Sequence, residues 1–185
     1  NGKLIDLSDN SVIEEFQTNY YGEYTLSTSV PNLPDFYKVV FTGGFDLATG
    51  EQMIGKLSNV STKTKALSSN DAKLNISPIT TLVSLKVEQV LLDTSITLDE
   101  NVITDQQTVV SSAFGISVDD INADYIKEEN VAMAKIIQQI EVVNNTLSKT
   151  TSSEITNVSK DDVMASLASV ITSSLDTSST FSLSD

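Results

Sequence analysis

Ile76-Ser77-Pro78-Ile79-Thr80-Thr81-Leu82-Val83 is the stretch where the chain changes period, and the fold class turns on it. Ser77 suits a helix N-cap, where a side-chain oxygen accepts an orphan backbone N–H. Pro78 suits the first helical position, where its missing N–H costs nothing. Beyond it Ile79, Leu82, Val83, Val87, Val90 and Leu91 recur at three- and four-residue spacing, which predicts an amphipathic helix to about Asp93. Ahead of it the apolar residues come in short runs broken by turn residues, which reads as strands.

Toward the N-terminus, Lys3 to Leu7 and Val12 to Thr18 are expected strands, and the polar cluster Ser8-Asp9-Asn10-Ser11 closes them into a hairpin. Asn19-Tyr20-Tyr21-Gly22 is a turn. Glu23 to Val30 alternates at period two and predicts a half-buried strand with Tyr24, Leu26 and Val30 on one face. Pro31 and Pro34 bracket an extended connection. Phe36 to Thr42 is the most apolar strand, hence central, and Gly43-Gly44 ends it. A turn over 46–50, a strand over 51–57, a Ser/Thr/Lys-rich passage and a short run over 72–76 complete this half. Strands at such spacing argue for a sandwich or partial barrel.

Toward the C-terminus, a second helix is expected from the cap Thr97 to Phe114, with Gly115 as its stop. An acidic turn covers Asp119 to Asp124, a long helix Tyr125 to Leu147, a linker Thr150 to Asn157 and a last helix Lys160 to Ser173. In the tail, Leu175, Phe181 and Leu183 sit at odd positions among Ser, Thr and Asp, an alternation that suits a strand. The reading is α+β: an antiparallel β-sandwich domain over 1–76, a bundle of about four helices over 77–174 and a strand-like tail over 175–185.

Composition narrows the function. The chain carries 25 acidic and 11 basic residues for a net charge of −14, which repels phosphate backbones and argues against a nucleic-acid partner. All the basic residues are Lys. With no His, Cys or Arg the chain lacks a Ser-His-Asp or Cys-His pair, the usual zinc ligands and a bidentate clamp for phosphate or carboxylate. Enzymatic activity is not expected, although carboxylate-only or Ser-Lys chemistry stays open. No apolar run approaches the roughly 18 residues a spanning helix needs. Beginning at Asn1-Gly2, the chain is expected to be a processed product or a piece of a longer protein.

The residues resemble a module of large bacterial, archaeal and viral surface proteins: a carboxypeptidase-regulatory-like, or transthyretin-like, β-sandwich followed by helices. The resemblance rests on Asn19-Tyr20-Tyr21-Gly22-Glu23-Tyr24-Thr25-Leu26, on Val39 through Gly50, on Ile76 through Val83, and on Ala113-Phe114-Gly115-Ile116 with the acidic turn after it. It implies a spacer, stalk or adhesive unit of an extracellular or surface-exposed protein. The partners expected are other copies of the chain or neighbouring repeats of a larger surface protein. Such sandwiches carry a strand before the one at Lys3. Here that strand is missing or supplied from elsewhere. Relatives that cross-link a Lys to an Asn would make Lys3, Asn75 and Glu14 or Glu23 eligible.

Four further constellations can be named. Asp120, Asn122 and Asp124 have the first three spacings of a calcium loop but lack Gly at the sixth position and Glu at the twelfth, so the competing reading is a helix-capping turn; calcium is the one cofactor considered. Asp6, Asp9 and Asn10 form a weaker candidate of the same kind, against a plain hairpin turn. Glu14, Glu15 and Glu23 could supply the paired carboxylates of glycoside hydrolysis, against exposed charges on strands. Sequons stand at Asn59, Asn75, Asn144 and Asn157. The sharpest expectation concerns the tail: an incomplete sandwich offers an unpaired edge, and Thr177, Ser179, Phe181 and Leu183 would fill it in a neighbouring copy. The competing reading is a tail that pairs with its own sandwich or opens the next repeat. A lectin-like binding module is the first alternative function and a carboxylate-based hydrolase the second.

Overall fold

The computed structural model describes residues 1–45, 52–69, 74–150 and 158–174. It is α+β. Among the described residues four strands form a single antiparallel sheet in the order β2-β1-β3-β4: β1 Gly2–Asp6, β2 Val12–Phe16, β3 Phe36–Thr42 and β4 Lys56–Thr62. The helices are α1 Lys63–Ser69, α2 Pro78–Leu91, α3 Glu100–Phe114, α4 Val118–Asn122, α5 Val131–Thr150 and α6 Lys160–Ser174. The expected turn over 46–50, the linker after Thr150, Asn157 and the whole tail with Thr177, Ser179, Phe181 and Leu183 lie outside the described residues.

The change of period at Ser77 is a helix start. Ser77 Oγ accepts from the Thr80 N–H while Thr80 Oγ1 accepts from the Ser77 N–H, a reciprocal capping box with Pro78 behind it. The helix it opens is more deeply set than its periodicity suggests. Ile79 to Ser84 are all buried because α2 lies between β4 on one side and α3, α5 and α6 on the others. Lys86 is taken into this interior too, and burial pushes its amine below the ordinary lysine range. At the end of α3, Gly115 adopts φ 65°, the left-handed cap that its sequence position predicted.

The sheet separates two apolar clusters. Leu4, Tyr37, Val39 and Phe41 alternate onto one face, joined by Leu33 and Ala66. Leu7 and Val60 belong to the other, shared with Ile79, Leu82, Val83 and Val87 of α2 and with buried residues of α3, α5 and α6. One core therefore runs through the junction between strands and helices.

Several expectations are corrected. Residues 23–29 form no strand. Tyr24, Leu26 and Val30 are half-buried as the alternation predicted, but they lie across the first apolar face, with the Tyr24 hydroxyl donating to the Leu74 carbonyl at 2.9 Å. The strand expected over 51–57 is displaced to Lys56–Thr62, inside the passage read as a polar connection. Ser58, Asn59, Ser61 and Thr62 are buried there. The Ser58 N–H donates to Thr81 Oγ1, Asn59 Nδ2 to the Asn75 carbonyl and Thr62 Oγ1 to Glu100 Oε1, while Asn59 Oδ1 is left without a hydrogen-bond partner among the described residues. The long helix begins at Val131 rather than Tyr125: Asn130 Oδ1 accepts from the Met133 N–H and caps it. The cap of α3 is Asp99, which accepts from the Val102 N–H at 2.9 Å, and not Thr97.

Candidate functional site

Two strands, β2 and β4, end the sheet, and their outer edges are built differently. Which backbone groups face outward follows from the register. The Asn1 carbonyl accepts from the Thr42 N–H at 2.9 Å and the Leu7 N–H donates to the Phe36 carbonyl at 3.1 Å, so the odd residues of β1 address β3. The even residues then address β2, and the Asp6 N–H donates to the Ser11 carbonyl at 2.9 Å. Gly2 stands opposite Phe16 and Leu4 opposite Glu14, which leaves the backbone of Glu15 directed away from the sheet. A bulge follows, and Val12, opposite Ile5, points outward again.

The same parity carried through β3 turns Leu57, Asn59 and Ser61 toward β3 and Lys56, Ser58 and Val60 outward. That outer edge is occupied. The Lys56 N–H donates to Asp161 Oδ1 at 2.8 Å, the Ser58 N–H to Thr81 Oγ1 at 2.9 Å, and Thr80 Oγ1 donates to the Ser58 carbonyl at 2.8 Å. The Thr-Thr pair of the opening motif thus fastens α2 along β4. On β2, among the described residues, no hydrogen bond reaches the backbone of Glu15, and Val12 and Ile13 are exposed.

Side chains beside β2 fix its shape. Phe16 stacks on Tyr24 with ring centroids 5.2 Å apart and meets Phe41 edge-on at 5.5 Å. Glu14 Oε1 accepts from the Ser27 N–H at 2.7 Å, and its Oε2 from the Thr28 N–H and hydroxyl at 2.8 Å. Burial works to raise the Glu14 carboxyl, but the Ser27 and Thr28 donors outweigh it and hold it at about 2. Glu15 pairs with Lys3 at 2.7 Å across the ladder.

The acidic turn is a capping structure. Asp120 Oδ2 accepts from the Ser117 hydroxyl at 2.6 Å and N–H at 3.0 Å, and Oδ1 from Asn130 Nδ2 at 3.2 Å; the Ser117 hydroxyl chiefly lowers its pKa. Asn122 Oδ1 accepts from Asn59 Nδ2 at 3.1 Å, and Asp124 Oδ1 from the Lys127 N–H at 3.1 Å. Each of the three acceptors thus serves a different donor. No group of three or more Asp or Glu side chains placed to hold a metal ion occurs among the described residues. In the hairpin candidate, Asp6 and Asp9 accept from the Ser8 and Ser11 N–H groups at 2.8 Å.

The structure does not gather the eligible cross-linking residues: Lys3 is bound to Glu15, Glu14 to Ser27 and Thr28, Asn75 to the Asn122 carbonyl, and Glu23 to Asn19. Glu14, Glu15 and Glu23 are likewise committed to separate partners. Of the sequons, Asn59 and Asn144 are buried and Asn75 is exposed. Sequence reasoning missed the bridge in which Asn59 and Asn75 hold the end of α4. It also missed a groove of ≈ 820 Å³ between the β1-β2 turn and the end of α2, lined by Asp6, Asp35, Lys38, Glu88, Leu91 and Ile96 among others, in which Lys38 pairs with Glu88. No signal in the sequence brings those separated residues together.

No family model, no curated protein and no solved structure matches this chain. No described helix is long and apolar enough to cross a membrane.

Proposed function

We propose that this protein is a non-enzymatic structural or adhesive module of a cell, filament or virion surface that joins other copies of itself by strand complementation. The observation that carries the reading is the asymmetry of the sheet: among the described residues one edge is fastened to helices, and the other is exposed at Val12, Ile13 and Glu15. An open edge is a template for a further strand, and a head-to-tail contact that does not close makes a fibre. In this reading the four-stranded sheet is the incomplete form of the transthyretin-like sandwich, and the tail from Thr177 to Ser184 is the strand that completes it in a neighbour. The absence of His, Cys and Arg supports a role without catalysis. Electron microscopy of the purified full chain, beside a chain lacking residues 175–185, tests it. Filaments or chains of subunits that vanish with the deletion support the reading; assembly unchanged by the deletion sinks it.

A ligand- or glycan-binding role is the second reading. It is favoured by the groove under Lys38 and Glu88 and by the exposed Tyr20 and Tyr21, whose rings meet edge-on at 5.5 Å. Saturable binding on a glycan array, lost on substituting Tyr20 and Tyr21 by Ala, would move the assignment there.

A further inference from the structure

We infer that the acceptor for the incoming strand is the outer edge of β2, centred on the backbone of Glu15, and that its occupant is the segment Thr177 to Ser184 of a second copy. The inference rests on the strand-complementation reading and adds to it the edge, the register position and the selectivity.

The fastened edge of β4 is closed to a newcomer. At Lys56 and Ser58 its outward groups are already bonded to Asp161, Thr80 and Thr81, and Val60 between them and α1 is only 2 % exposed. A strand added there would have to displace α2 from the core. At β2 the outward groups of Glu15 need no such displacement, because its ladder to β1 uses Glu14 and Phe16.

Charge then selects the occupant. Glu14 and Glu15 stand side by side on β2, so pairing β2 with β2 of another copy would place carboxylates against carboxylates. The bulge beside them is a further device against indiscriminate pairing. The segment Thr177-Ser178-Ser179-Thr180-Phe181-Ser182-Leu183-Ser184 carries no charge and alternates Phe181 and Leu183 with small hydroxyl residues. On the face of β2 shared by Phe16, which is only half-buried, those two side chains would extend the aromatic cluster of Phe16, Tyr24 and Phe41.

Proline supplies a selective probe, because it removes one backbone N–H and is tolerated on an edge strand where that N–H faces solvent. In the full chain, Glu15→Pro is expected to keep the wild-type circular dichroism and to reduce assembly at least tenfold, read by sedimentation and electron microscopy. Val118→Pro, at the first position of a capped helix, is the remote control that assembles normally. A second measurement covers a Glu15→Pro chain that fails to fold. Since the protein has no Cys, a Glu15→Cys chain mixed under oxidation with a Ser182→Cys chain can form only one kind of mixed disulfide. Mixed dimers from that pair, and none when Lys56→Cys replaces Glu15→Cys, support the assignment. Normal assembly by a folded Glu15→Pro chain, or mixed dimers formed equally through Lys56→Cys, overturns it. If deletion of 175–185 still abolishes assembly in that event, complementation stands and only the acceptor edge is wrong; if the deletion has no effect, both fail.

Discussion

Ser58 and Thr81 are 23 residues apart in the chain and joined by a buried hydrogen bond, the Ser58 N–H donating to Thr81 Oγ1 at 2.9 Å. The bond ties an outer-edge backbone group of β4 to the first turn of α2. Replacing Thr81 by Val keeps the side-chain shape and strands the Ser58 N–H, an expected cost of about 1–3 kcal/mol. Thr81→Ser retains the hydroxyl and should recover most of it. Urea denaturation of both variants decides; equal loss in the two would show that the methyl group, not the oxygen, matters.

The Glu14 carboxyl gives a pH signature. Its folded pKa of about 2 lies below the unfolded value near 4.5, so an unfolded chain takes up the proton first as pH falls. The stability it contributes is therefore fully present above about pH 4.5 and is lost as pH falls through 2. In Glu14→Gln the stability curve should be flatter between about pH 5 and 2 than in the wild type. Parallel curves for the two proteins would refute the assignment to this carboxylate.

Gly2 faces the ring of Phe16 across the ladder. A Cβ placed there would lie 2.4 Å from Phe16 Cε2, and that ring is held between Tyr24 and Phe41. Gly2→Ala is expected to cost about 1–3 kcal/mol by overpacking. It should also shift the aromatic resonances of Tyr24 and Phe41. Gly2→Ala with wild-type stability and unshifted rings would mean that Phe16 has a second place to go.

Leu82 and Leu92 test where the core lies. Leu82 is fully buried in the helix that the other helices surround, whereas Leu92, just past its end, is 81 % exposed. Leu82→Ala is expected to lose about 2–5 kcal/mol. Leu92→Ala should stay within about 0.5 kcal/mol of the wild type. Comparable losses at both positions would place α2 differently against the sheet.

Local signals were legible wherever one residue's chemistry decides its own backbone. Ser77 with Pro78 started a helix, Gly115 stopped one, and the strongly apolar run Phe36 to Thr42 marked an inner strand of the sheet. The segment from Glu23 to Val30 shows the limit. Its alternation recorded which side chains are half-buried, but a ladder needs a partner strand, and here Tyr24 reaches Leu74 instead. The strand over Ser58 to Thr62 was hidden for the converse reason: its polar side chains read as surface, and the partners that meet the Ser58 N–H, Asn59 Nδ2 and Thr62 Oγ1 come from Thr81, Asn75 and Glu100, far along the chain.

The candidate site divides along the same line. The sequence alone set the absence of Arg, His and Cys, the net negative charge and the uncharged alternation of Thr177 to Ser184, because these need no knowledge of what lies beside them. The sequence also placed a helix at Ser77. Only the tertiary structure decided that this helix lies along β4 and takes up outward backbone groups of that strand, while Glu15 of β2 keeps its own directed away from the sheet with no partner among the described residues. Which edge of a sheet is open depends on register and on the elements packed beside it, and both are relations between residues far apart in the chain.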